Sequence, residues 1–160
     1  MNFNRDRHGI SIILILLLWG NLGAVAVQAS PITDCPIEAL TTEFKNLRLV
    51  RGHLSGGGEW NDDVDHWNGR KHQVMNQLGD CLGTGKYRKS DIIELMGKPD
   101  AIATKGDIYF SFIVHDTLGT RAIADTDEFL IYYWRGGHDF LYFVCQDENA
   151  VKSGWWFAGE

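Results

Sequence analysis

Phe129-Leu130-Ile131-Tyr132-Tyr133-Trp134-Arg135-Gly136-Gly137-His138-Asp139-Phe140-Leu141-Tyr142-Phe143 is the stretch that decides the fold. Two aromatic-rich apolar runs flank Gly136-Gly137, a pair suited to the positive φ angles of a tight hairpin. A third run, 150–157, follows the turn signal Asp147-Glu148-Asn149. Upstream, Ser90-Asp91-Ile92-Ile93-Glu94-Leu95-Met96-Gly97-Lys98-Pro99 reads as a two-turn helix with Ser90 as N-cap and Gly97 as its stop. Between them, Ile108-Tyr109-Phe110-Ser111-Phe112 reads as one more strand, and the polar segment 115–127 as a loop. These runs make a four-stranded antiparallel meander.

Toward the N-terminus, Ile37, Leu40, Phe44, Leu47, Val50 and Leu54 recur at helical steps behind Pro36, predicting an amphipathic helix over 36–54. Ser55-Gly56-Gly57-Gly58 breaks it. A second helix is predicted from about Asn61, with Val64, Trp67, Val74, Met75, Leu78 and Leu82 on one stripe and a kink or break near Asn68-Gly69. Two helices joined by a short loop pack as an antiparallel hairpin, which brings Cys35 beside Cys81 and predicts a disulfide. Cys145 is left as a buried free thiol on a strand. The expected class is α+β: an N-terminal helical hairpin plus a short helix packed on one face of the meander. The helical part covers 30–99 and the sheet 100–160 of one domain.

Arg5 and Arg7, an apolar run and then Val27-Gln28-Ala29-Ser30 have the order of a secretory signal peptide over 1–29, cleaved after Ala29. The competing reading is an uncleaved anchor over 10–27, and it is the one membrane attachment the sequence offers; Gly20, Asn21 and Gly23 interrupt it. Pro31-Ile32-Thr33-Asp34 before Cys35 lacks the small apolar residues of a lipidation site. The expected location is therefore secreted or periplasmic. The whole chain carries a formal charge of −6, and losing the leader makes it more acidic. Such a surface repels phosphate backbones, so nucleic acid is not an expected partner.

The short helix ending in Gly97-Lys98-Pro99, followed by a strand and the hairpin 130–143, resembles the SmpA/OmlA family of small bacterial envelope proteins, with its BamE-like and β-lactamase-inhibitor-protein-like members. The resemblance covers about half of the mature chain. It implies a non-enzymatic interaction module and transfers no site residues. The segment 52–72 and the missing lipidation cysteine depart from that family's pattern.

Two constellations offer chemistry. If 60–72 is helical, Asp62, Asp65 and His66 share a polar face opposite Val64 and Trp67, where His66 paired with Asp62 makes an oriented general base. With His138 or Arg135 across a cleft, that face would suit a small exported hydrolase or isomerase; the plainer reading is a solvated helix face. The second is the sheet itself. Strand alternation puts Phe129, Ile131, Tyr133 and Arg135 on one face and Leu130, Tyr132 and Trp134 on the other. With helices on one face only, large rings such as Tyr132, Trp134 and Trp156, beside Arg135, would form an exposed patch for a protein or peptide partner. The alternative is that a loop or helix covers the second face. The binding module, inhibitor-like in character, is the first expectation and the enzyme the second; no metal or cofactor motif is present.

Overall fold

Alternation along the aromatic hairpin sorts its side chains between two cores, and helices cover both. The computed structural model describes residues 35–117 and 123–159. In chain order it contains α1 (Ile37–Leu47), a 3₁₀ turn (His53–Ser55), α2 (Arg70–Leu82), α3 (Lys89–Met96), β1 (Ala101–Ala103), α4 (Ile108–Thr117), β2 (Glu128–Arg135), β3 (Asp139–Gln146) and β4 (Asn149–Trp156). The strands lie in the order β1-β2-β3-β4, each antiparallel to the next. The expected α+β class and meander are present. The signal peptide reading falls on 1–29, outside the described residues.

On one face, Leu130, Tyr132, Trp134, Leu141, Phe143 and Cys145 meet Leu40 and Phe44 of α1, Val74, Met75, Leu78 and Leu82 of α2, and Ile92 and Met96 of α3. Each fully buried side chain of this size contributes about 1.5–3 kcal/mol. The helical hairpin is closed by Cys35–Cys81, whose Cα atoms are 6.1 Å apart. Cys145 is the buried free thiol expected, and burial pushes its pKa up to about 11.

The other face is covered by α4, which corrects the reading of Ile108 to Phe112 as a strand. The burial pattern is helical: Ile108 is 65% exposed, while Tyr109, Phe110 and Ile113 pack against Phe129, Ile131, Phe140, Tyr142 and Val144. Phe110 meets Phe129 edge-on at 5.7 Å, and Phe112 stacks on Trp156 at 5.0 Å. The first strand is instead the short β1, paired with 129–131 of β2.

Other boundaries also shift. α1 ends at Leu47, because Arg48 turns out to donate to Lys98 O at 2.9 Å and to pair with Asp100 at 2.6 Å. The N-cap of α3 is Arg88 and not Ser90; Asp91 accepts the Arg88 backbone N–H at 2.8 Å, and Gly97, at φ 84°, ends the helix as expected. α2 starts at Arg70, so 60–69 is a run of turns and the break near Asn68-Gly69 is real. A Cβ on Gly69 would lie 2.3 Å from Asp62 O, so the close approach of those turns requires glycine there.

Candidate functional site

The turns at 60–69 are organised around one carboxylate. Asp65 is fully buried and accepts three backbone N–H bonds: His53 at 2.7 Å and Asn61 at 2.9 Å on Oδ2, and Leu54 at 3.1 Å on Oδ1. Burial alone would raise its pKa, but the N–H groups of Asn61, His53 and Leu54 together hold it below the usual carboxylate range. Gly52 passes so close that a Cβ would sit 2.2 Å from Oδ2.

This knot leans on the β2–β3 hairpin. Arg135 donates to Asp65 O at 3.0 Å, pairs with Asp139 at 2.7 Å, and lies 4.3 Å from the Trp134 ring centre. Asp139 also accepts the Ala158 backbone N–H at 3.0 Å, which pins the segment after β4. The pair is buried, and breaking such a pair costs about 3–5 kcal/mol.

Above it opens a mainly apolar pocket of about 420 Å³, lined by Trp60, His66, Trp67, Arg135, Asp139, Phe157 and Gly159. Its aromatic rim is exposed: Trp60 by 53%, Trp67 by 51% and Phe157 by 36%. Trp67 meets Phe157 edge-on at 4.8 Å, and Trp155 stacks on Phe157 at 5.4 Å. Beneath them, His72 lies 4.7 Å from Trp67 and Trp134 and 4.8 Å from Trp155. His72 Nδ1 and Trp134 Nε1 are buried without a hydrogen-bond partner. Burial, then the Arg135 charge, lowers the His72 pKa, while Asp139 opposes.

A second cleft, of about 390 Å³, is lined by Arg48, Ser55, Lys71, Asp100, Tyr133 and the Gly136-Gly137 turn, among others. Lys71 is only 6% exposed and donates to Trp134 O. Burial lowers its pKa to about 8 from the ordinary 10.5.

Comparison of the chain with protein-family models, with curated proteins and with solved structures gives no match. The site therefore rests on this geometry. Of the residues expected to act in an enzyme, the structure brings His66 to the aromatic pocket, beside Arg135. Asp62 is exposed and accepts the Trp60 indole N–H at 2.8 Å instead of pairing with His66. Asp65 is consumed by the loop, and the exposed His138 folds over Gly136 at the hairpin tip. The shared helical face of Asp62, Asp65 and His66 does not form, because the chain there turns instead of coiling. Among the described residues no group of three His, Cys, Asp or Glu is placed to hold a metal ion.

The expected binding face is also corrected. Tyr132 and Trp134 are fully buried under α1–α3, and the Tyr132 hydroxyl donates to Gly97 O at 2.9 Å. Trp156 is partly covered by Phe112 of α4. Most of the sheet's rings are core, Tyr133, Trp155 and Trp156 are partly buried, and among the described residues the most exposed rings are Trp60, Trp67 and Phe157. Lys71 went unremarked in the sequence although its signal was legible: it falls on the apolar stripe of Val74, Met75 and Leu78, where an ammonium has no packing reason to be.

Proposed function

We propose that this chain is a small exported binding module that seats an apolar or aromatic side chain of a protein or peptide in the pocket between Trp60, Trp67 and Phe157. The observation that carries this reading is the exposed three-ring rim over a buried Arg135–Asp139 pair. Large rings left in water around a concavity are the common make-up of binding anchors, and a committed ion pair beneath them keeps the floor rigid. Arg135 is the one residue of the expected binding set that remains in this site. Export agrees with the Cys35–Cys81 disulfide, a bond that persists in oxidising compartments.

Selection of displayed random peptides on the full protein tests this. The expected result is enrichment of peptides with a Trp, Tyr, Phe or Leu anchor, and an affinity loss of at least tenfold in Trp60→Ala, whose ring makes one hydrogen bond, to Asp62. Peptides that bind Trp60→Ala and Trp67→Ala as well as the unaltered protein would rule the pocket out.

A further inference from the structure

The Lys71 cleft holds a buried ammonium with hydrogen-bond donors to spare. The carboxylate lining it, Asp100, is already engaged on both oxygens: Oδ1 takes Arg48 at 2.6 Å and Oδ2 takes the Tyr133 backbone N–H at 2.7 Å. Arg48 is committed in turn, to Asp100 and to Lys98 O. An ammonium has three N–H donors, and Lys71 gives one to Trp134 O; the other two have no hydrogen-bonding partner among the described residues. The cleft thus holds one Arg–Asp pair and one ammonium with two open donors; Asp65 also acts on Lys71, but its oxygens are taken by the His53, Leu54 and Asn61 backbone N–H groups.

From this we infer that the cleft binds a single carboxylate group, with Lys71 as its ion-pairing residue and Ser55 and the Gly136-Gly137 turn as its walls. A carboxylate offers two acceptor oxygens to those two open donors, whereas a dianionic phosphate would bring a second negative charge near Asp100 and Asp65. The shared chemistry fits two sources, a free small acid and the carboxyl end of a peptide chain. This inference is independent of the aromatic pocket.

The test is calorimetric titration of the full protein with acetate, with a short peptide bearing a free C-terminal carboxylate, and with the same peptide amidated. Saturable acetate binding identifies a small-acid site. Binding of the free-acid peptide alone, without acetate or the amide, identifies a chain end. Either way Lys71→Met is expected to lose at least tenfold in affinity. Binding to the unaltered protein should also weaken at least tenfold between pH 7 and pH 9.5 as Lys71 gives up its proton. The other charged groups facing Lys71 are Asp65, Asp100 and Arg48; the Asp65 carboxyl is held below the usual carboxylate range and stays charged over that interval, and Tyr133, pushed up to about 12, stays neutral. The pH arm needs no substitution, so it decides the matter independently of Lys71→Met. Equal binding of acid and amide, an unchanged Kd in Lys71→Met, no loss at pH 9.5, or no saturable binding of either acid would each overturn the inference.

Discussion

Lys71 occupies a position that α2 would fill with an apolar side chain, and its charge works against the fold. Between about pH 8 and 10.5 the unfolded chain keeps a proton that folded Lys71 has shed, so stability contributed here climbs with pH, by roughly 3 kcal/mol in full. Lys71→Met should therefore raise the unfolding free energy at pH 7 by about 1–3 kcal/mol in urea titrations. That advantage should shrink as pH rises from 8 to 10.5; a constant gap would mean Lys71 is not desolvated. His72 works in the acid range. Its folded pKa lies below the unfolded value, so the unfolded chain takes up the proton first and stability falls as pH drops below about 6.5. Arg135 strengthens that effect and Asp139 weakens it. Denaturant midpoints at pH 7 and pH 5.5 should differ more for the unaltered protein than for His72→Phe, and equal differences would exclude the mechanism. The place of Lys71 on the apolar stripe of α2 was legible in the sequence, whereas the role of His72 was not, since it depends on what the hairpin places over α2.

At the scale of elements, the hairpin was the most legible part of the chain. Its alternation holds along β2, and Gly136 and Gly137 take φ of 63° and 75° as a tight turn demands. The α4 segment misled because five apolar or small residues in a row carry no period of their own. The deciding signal lay further on, at Ile113, one helical turn beyond Tyr109. Ile113→Ala should cost about 2–4 kcal/mol, while Ile108→Lys should stay within about 0.5 kcal/mol. The reverse order in thermal or denaturant unfolding would contradict the docking of α4. The turns at 60–69 misled in the opposite direction: the stripe Val64, Trp67, Val74 continues smoothly through them, and the sequence does not announce that Asp65 will capture three backbone amides. The candidate site was illegible for that reason.

At the scale of the whole molecule, helices on both faces turn most of an aromatic-rich sheet from a surface into a core, so an abundance of rings in the sequence is not by itself the mark of an exposed face. The 46-residue span closed by Cys35–Cys81 is worth roughly 4 kcal/mol on the chain-entropy account. Reduction in a Cys145→Ala background should lower the Tm by roughly 10–20 °C, and an unchanged melt would show the helical hairpin to be self-sufficient. The Asp65 knot has a dynamic corollary. Its three amides, on His53, Leu54 and Asn61, belong to glycine-rich irregular chain that would ordinarily exchange with deuterium in seconds, yet all three answer to one ionisable group. They should form an island of slow exchange amid fast neighbours and lose protection together on acidification, below the pH at which an ordinary aspartate protonates. Three signals thus make a built-in gauge of whether the loop beneath the aromatic rim is still tied shut.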